Sequence, residues 1–286
     1  MIYLRFDEID STNTYLKNNY QSLNDWTIVQ ANFQSAGRGR LERKFLIEKR
    51  KGLIESILLK DEFAFKNTEL ISILVGVALS KTLEEYNVNS LIKWPNDILV
   101  NGKKISGILL EGVSTSKMEA LIVGIGMNLN QDRFSEELTN AISLKMVLNE
   151  DISIEEFSYK FNDKLFNLYE SFKNGNDIEF LNYASKNLAY KNEIVFALVN
   201  GAKKLVRILK ILENGHLLIE DNGETKELRS GEISFHSDYA QNEKRLKHKN
   251  IFKTGEDIDM LHENFRENKN SSKEEINNCD KNIDGA

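Results

Sequence analysis

The sequence predicts an α+β protein: a mixed sheet flanked by helices, then a small β-barrel, then a charged tail. Three observations carry this. Apolar residues switch repeatedly between helical and alternating spacing before residue 187, Asn-Gly pairs then recur between short apolar runs, and aliphatic residues thin out after residue 238. The expected domains are 1–187, the barrel at 188–238 and the tail at 239–286.

Residues 12 to about 20 read as a helix opened by Ser11-Thr12-Asn13, and 27–32 as a strand of alternating β-branched residues. Between 34 and 52 the pattern breaks into Gly, Arg and Lys, which marks a loop. A strand at 53–59 follows. The helix at 69–86 carries Leu70, Ile71, Leu74, Val77, Ala78 and Leu83 on one stripe behind Asn67-Thr68, which can cap it. Strands at 98–100 and 104–110 flank Asn101-Gly102, the signature of a tight hairpin, and another strand covers 118–126. Ser153 with Glu156 forms a capping box for a helix reaching about Phe172, and a second helix covers 178–187. Asn200-Gly201, Asn214-Gly215 and Asn222-Gly223 then punctuate the short strands of the barrel. In the tail, charge and asparagine leave too little apolar surface to offset chain entropy, so disorder is expected there.

Composition excludes several classes. A net charge of −6 argues against a surface built throughout to grip nucleic acid, because phosphate binding needs clustered, uncompensated Lys and Arg. Cys279 is the only cysteine, which rules out an internal disulfide or a thiolate cluster. His216, His236, His248 and His262 are scattered, so no structural zinc site is expected. With no basic n-region, no apolar h-region and no run long enough to span a bilayer, a cytoplasmic location is expected and no membrane partner.

Two segments carry chemistry. Gln34-Ser35-Ala36-Gly37-Arg38-Gly39-Arg40 combines glycines that allow close backbone approach with forked guanidinium donors suited to carboxylate or phosphate. Lys93-Trp94-Pro95-Asn96-Asp97 holds the only proline, and the hairpin after it returns Lys104 toward Asp97. A lysine and a carboxylate then share one small volume. Lys103 faces the opposite side, because adjacent strand positions point to opposite faces.

The order of these motifs resembles the biotin–protein ligases. Five segments agree over roughly residues 3–237: Glu8 to Asn13, Gln34 to Arg40, Lys93 to Gly107, Gly124 to Asn128, and Gly231-Glu232-Ile233-Ser234. The resemblance implies a catalytic domain of the biotin–lipoate ligase type, like that of class II aminoacyl-tRNA synthetases, followed by an SH3-like barrel. It implies an ATP-dependent enzyme that makes biotinyl-5′-AMP and passes biotin to a lysine of a biotin carboxyl carrier domain of a carboxylase.

Carried over position by position, Ser11, Thr12, Asn13 and Gln34 hold the biotin ring, while Gly37, Arg38, Gly39 and Arg40 form the loop over biotin and its adenylate. Arg38 meets the carboxylate and α-phosphate, and Arg40 and Arg43 assist with phosphates. Lys104 is the catalytic lysine, stabilising charge in both half-reactions, so that Arg38 and Lys104 gather around one acyl-phosphoryl junction. Asp97 is the catalytic carboxylate, orienting either Lys104 or the incoming lysine. Trp94 packs against either biotin or the core. Gly107 belongs to the biotin side, and Asn96 and Asn128 to the ATP side. Magnesium is implied on the phosphates, with no protein metal ligands. A monomer or a homodimer fits equally.

The chain departs from the family pattern after Arg40, where Leu41-Glu42-Arg43-Lys44-Phe45 replaces a small basic, glycine-containing stretch and a tryptophan. Glu42 repels phosphate unless Arg43 or Lys44 compensates, so an active ligase with altered ATP affinity is expected. Because the motifs begin at Glu8, no winged-helix repressor domain and no specific DNA binding are expected. Lipoate ligation is the alternative from the same fold. A noncatalytic biotin sensor is the alternative from a different class.

Overall fold

The computed structural model describes residues 1–40, 45, 47–176, 178–199, 201–229 and 233–235. Leu41 to Lys44 and the tail beyond residue 235 lie outside the described residues, and so do Gly231 and Glu232 of the final motif segment.

Seven strands form the main sheet: β1 (Ile2–Phe6), β2 (Thr27–Ala31), β3 (Gly52–Leu59), β4 (Leu91–Lys93), β5 (Asp97–Val100), β6 (Lys103–Ser114) and β7 (Met118–Asn128), in the order β1-β2-β3-β7-β6-β5-β4. β1 runs parallel to β2, and every other pairing is antiparallel, so the sheet is mixed. β3 is buried at every position, since both faces of the sheet are covered where it runs, and its sequence is accordingly apolar without strict alternation.

The helices are α1 (Thr12–Asn19), α2 (Glu62–Lys66), α3 (Thr68–Glu85), α4 (Leu144–Leu148), α5 (Ile154–Lys173) and α6 (Ile178–Lys186). α1 covers one face by sending Leu16 among Val29, Leu58, Ala120 and Ile122. α3 and α5 cover the other face, α3 resting Gly76 beside Ile92, Ile98 and Ile108. Ser11 caps α1 by accepting from Thr14 N. Ser153 likewise accepts from Glu156 N, but the Glu156 carboxylate pairs with Lys160, so only half of the expected capping box is used. Asn67 stands at the start of α3 without a side-chain cap bond, its amide donating backward to Phe63 O instead.

β1, α2, β4 and α4 were not expected from the sequence. Each is three to five residues long, too short for its spacing to distinguish one period from another.

On the α3 and α5 face a carboxylate sits in the core. Glu55 has no exposed surface and accepts from Gln30 Nε2 (2.8 Å), Ser158 Oγ (2.9 Å) and Asn162 Nδ2 (3.1 Å). Burial pushes its pKa up to about 7, against the partial opposition of these donors. The unfolded chain releases this proton near the ordinary value of 4.5, so between 4.5 and about 7 the folded protein holds a proton the unfolded chain has lost. Stability from this group is therefore complete below that window and falls as pH rises through it. Glu55→Gln removes the titration. Urea midpoints at pH 5 and pH 8 should show the wild type losing up to about 3 kcal/mol relative to the variant over that interval. Parallel pH profiles for the two proteins would rule this out.

The second sheet comprises β8 (Ile194–Val199), β9 (Ala202–Ile211), β10 (Leu217–Asp221), β11 (Glu224–Leu228) and β12 (Ile233–Phe235), in the order β11-β10-β9-β8-β12. β8 pairs antiparallel with both β9 and β12, as an SH3-like barrel requires. The Asn222-Gly223 turn has both residues at positive φ, the conformation that Asn-Gly favours between tightly joined strands.

The chain divides into two compact units. The first holds residues 1–191, 209–218 and 227–230; the second holds 192–208 and 219–226 and takes in 233–235. Within the first unit, the turn around Gly215 lies against Leu70 and Ile73 of α3, and Gly215 O accepts from Trp94 Nε1 at 2.9 Å. Among the described residues no helix is long and apolar enough to cross a membrane.

Candidate active site

β6 and β7 supply the floor of the site. Antiparallel pairing aligns Lys93, Asp97, Gly107, Gly126 and Ile54 in one row across the sheet, and Leu109, Gly124 and Ser56 in the next. Residues directly opposite one another share a face, so three glycines line the face that α1 covers. Their lack of side chains opens a hollow that neighbours occupy closely. A Cβ on Gly124 would lie 2.3 Å from Asn13 Oδ1, and one on Gly126 would lie 2.2 Å from the Phe45 ring.

The start of α1 forms one wall. Ser11, Thr12 and Asn13 are all buried, and Gln34 Oε1 accepts from Thr12 N (2.7 Å) and Thr12 Oγ1 (3.0 Å). Ser56 Oγ lies within hydrogen-bond reach of Thr12 Oγ1 (2.7 Å) and of Asn13 Oδ1. Asn13 Nδ2 donates to Glu111 Oε2 at 2.7 Å. A compact set of small polar groups thus stands against an apolar sheet, an arrangement suited to a small ligand with a polar ring.

Asp97 and Lys104 form the other end. Lys104 Nζ lies 2.6 Å from Asp97 Oδ1, as an ion pair without hydrogen-bond alignment. A bulge brings them together. Ile98 pairs with Ser106 but Leu99 with Lys104, so Ile105 is an extra residue in β6, and Lys104 shares a face with Gly107 despite lying three positions before it. The ammonium stands 3.0 Å from where a Gly107 Cβ would be and 5.7 Å from the centre of the Phe45 ring. Lys103 is exposed, as strand alternation predicts.

Beyond the end of β7, the backbone of Lys104 is held by the following loop: its N–H donates to Asn140 O (2.7 Å) and its carbonyl accepts from Ile142 N (3.0 Å). Asn128 supports that loop by donating to Ile142 O at 3.2 Å, and its own Oδ1 accepts from Gln131. Asn128 is thus buried beneath the segment that positions Lys104.

The remaining candidates divide between the two ends. Arg38 donates through Nη1 to Thr14 Oγ1 (2.9 Å) and through Nη2 to both Glu111 oxygens (3.1 and 3.0 Å). Arg40 donates to Asn96 Oδ1 at 3.2 Å, while Asn96 Nδ2 donates to Ile108 O. Gly37 is pressed against Phe45 O, and Gly39 follows between the two arginines. Arg38 and Lys104 have separate partners, anchored near Glu111 and Gly107 respectively, roughly 13 Å apart along β6 by strand rise. Trp94 is buried, with its indole on Gly215 O. Arg43 lies outside the described residues.

The fold and the sequence have known counterparts. Residues 5–128 match the Biotin/lipoate A/B protein ligase family. The biotin protein ligase of Aquifex aeolicus, solved in complex with biotin and ATP, superimposes with a TM-score of 0.75 at 32% identity, covering 82% of this chain and 98% of that one. The chain belongs to the biotin protein ligase family. Among curated members, the Bifunctional ligase/repressor BirA of Bacillus subtilis is 38% identical over 131 residues, 44% of this chain, and that match spans only 40% of the relative's length. The Biotin--[acetyl-CoA-carboxylase] ligase of Paracoccus denitrificans is 33% identical over 124 residues, covering 42% of this chain and 51% of the relative.

Three residues of the site were missed from the sequence. Thr14 and Ser56 look like ordinary helix and strand positions. Glu111 lies one residue past the end of the strand expected at 104–110, but β6 runs on to Ser114 and alternation from Gly107 through Leu109 carries Glu111 onto the floor.

Proposed function

We propose that this protein is an ATP-dependent ligase that forms biotinyl-5′-AMP and transfers the biotinyl group to one lysine of a biotin carboxyl carrier domain. The observation that carries the reading is the Lys104–Asp97 ion pair at one end of a glycine-floored hollow whose other wall is the polar start of α1. In the first step a biotin carboxylate oxygen attacks the α-phosphorus of ATP and pyrophosphate leaves. In the second the acceptor amine attacks the acyl carbon, AMP leaves, and the amine gives up its proton.

Ser11, Thr12, Asn13 and Gln34 would bind the ring on the side of α1, with Gly37, Gly39 and Gly107 allowing close approach. Lys104 would place its charge where negative charge builds on the acyl-phosphate oxygens, and Asp97 would orient that ammonium. Arg38, Arg40 and Asn96 offer donors to carboxylate and phosphate, and Arg43 is assigned to the phosphates on the family pattern. Asn128 would act near the nucleotide by holding the loop on which Lys104 rests. Trp94 is assigned to the biotin side through the segment it anchors. Magnesium would arrive on ATP and neutralise phosphate charge. Its ligands would be phosphate oxygens and water. A cytoplasmic reaction is proposed because it consumes ATP, and a carboxylase acceptor because the Paracoccus relative is named for one.

Incubation with ATP, magnesium, biotin and a carrier domain, followed by intact-mass measurement, tests this. The carrier should gain one biotinyl group. A parallel pyrophosphate-exchange assay with lipoate addresses the second reading, because the matched family description names both biotin and lipoate ligases. Exchange with lipoate and none with biotin would overturn the first.

A further inference from the structure

Glu111 stands where an apolar residue would be cheaper. On its face of β6 the neighbours are Leu109 and Val113, its partner on β7 is Ile122, and Val113 and Ile122 belong to the apolar cluster around Leu16. Placing a carboxylate beside such a cluster costs free energy unless donors offset its lost hydration. The donors here are specific. Asn13 Nδ2 reaches Oε2 at 2.7 Å, Arg38 Nη2 reaches both oxygens at 3.1 and 3.0 Å, and Lys17 of α1 stands 4.0 Å from Oε1. Burial alone would raise the Glu111 pKa. The bonds from Asn13 and Arg38 and the charges of Arg38 and Lys17 outweigh burial and hold it below its ordinary value, so the group is ionised at neutral pH.

Those donors are the same two residues that the proposed ligase assigns to opposite parts of its substrate, Asn13 to the ring and Arg38 to the acid. An asparagine amide can flip, and a guanidinium on a long side chain can swing. Glu111 removes both freedoms. With Glu111 accepting from Nδ2 and Ser56 facing Asn13 Oδ1, one amide orientation is satisfied; the flipped one sets the amide oxygen against the acceptor-only carboxylate of Glu111, whereas the Ser56 hydroxyl could serve either orientation. Arg38 is fixed from two sides, by Glu111 and by Thr14, which occupy only part of its five N–H donors and leave others for a ligand.

We propose that Glu111 is a positioning residue for the ligase reaction, one carboxylate that fixes Asn13 for the ring and Arg38 for the reacting acid end. The proposal rests on the biotin ligase reading and names a residue outside its motifs.

The two functions can be separated by substitution. In Glu111→Gln the amide oxygen can still accept from Asn13, but the remaining NH2 cannot accept from Arg38. In Glu111→Ala both contacts are lost. Biotin-dependent pyrophosphate exchange, with KM for biotin and kcat measured separately, should give for Glu111→Gln a kcat at least tenfold down with KM within threefold. For Glu111→Ala, KM for biotin should rise at least fivefold as well. In an Arg38→Ala background Glu111→Gln should cost no further kcat, because its effect passes through Arg38. Glu111→Asp, keeping the charge on a shorter arm, should recover part of the kcat lost in Glu111→Gln and covers the case in which the alanine variant does not fold.

Unchanged or increased kcat in Glu111→Gln would overturn the proposal, an increase showing that Glu111 competes for Arg38. So would a fall in kcat that persists undiminished in the Arg38→Ala background, or losses in all variants that merely track the folded fraction by circular dichroism. Wild-type protein that shows no biotin-dependent exchange overturns the ligase reading itself, and the inference with it.

Discussion

Lys104→Ala should lower biotin-dependent pyrophosphate exchange by about 100- to 1000-fold, the usual cost of removing one preorganised group that stabilises transition-state charge. Lys104 is half-buried, held by backbone bonds on both sides, and its ammonium faces Asp97, Gly107 and Phe45. The backbone bonds survive truncation to alanine, so the strand should keep its place. The substitution does leave Asp97 in the site without its cation, at a stability cost of about 1–3 kcal/mol. Asp97→Asn combined with Lys104→Ala separates the two effects: the melting temperature should recover toward wild type while exchange stays low. Transfer from preformed biotinyl-5′-AMP to the carrier should fall as well, since the same charge serves both steps. Exchange within tenfold of wild type in a folded Lys104→Ala protein would remove Lys104 from the catalytic assignment.

Gly124→Ala should cost biotin affinity through shape alone. The added methyl would lie 2.3 Å from Asn13 Oδ1 and 2.9 Å from Asn13 Cγ, well inside contact distance. Asn13 cannot move aside without losing Ser56 or Glu111, so the clash must be relieved by displacing the α1 wall. Overpacking of this kind costs about 1–3 kcal/mol, and if that cost is met at the binding step the affinity falls by roughly 5- to 150-fold. Gly112→Ala is the matched control on the same sheet. Its methyl would meet only the end of the Met118 side chain at 3.1 Å, at an exposed position, and titration calorimetry should show unchanged biotin binding. Equal affinities for the two variants would show that the hollow over Gly124 does not receive the ligand.

The long elements were legible because their periods repeat. The stripe from Leu70 to Leu83 gave α3, and Asn101-Gly102 gave the hairpin that returns Lys104 to Asp97. What escaped depends on pairing that only the folded sheet supplies. Nothing in Lys104-Ile105-Ser106-Gly107 announces that Ile105 is an extra residue, so simple alternation would set Lys104 and Gly107 on opposite faces, where the bulge sets them together. The strand expected at 104–110 stopped one residue short of Glu111, which the observed β6 carries on to Ser114. Arg38 was expected beside Lys104, whereas its contacts here are with Thr14 and Glu111. A motif names the residue but not the neighbour that restrains it.

Ile105 makes the aim of a catalytic cation a matter of counting. Side-chain identity within the hairpin can drift as long as the tally between Asp97 and Gly107 is kept, for one residue more or fewer would turn residue 104 toward α3 and leave Asp97 facing empty backbone. Length, in this stretch of chain, decides which way the cation points.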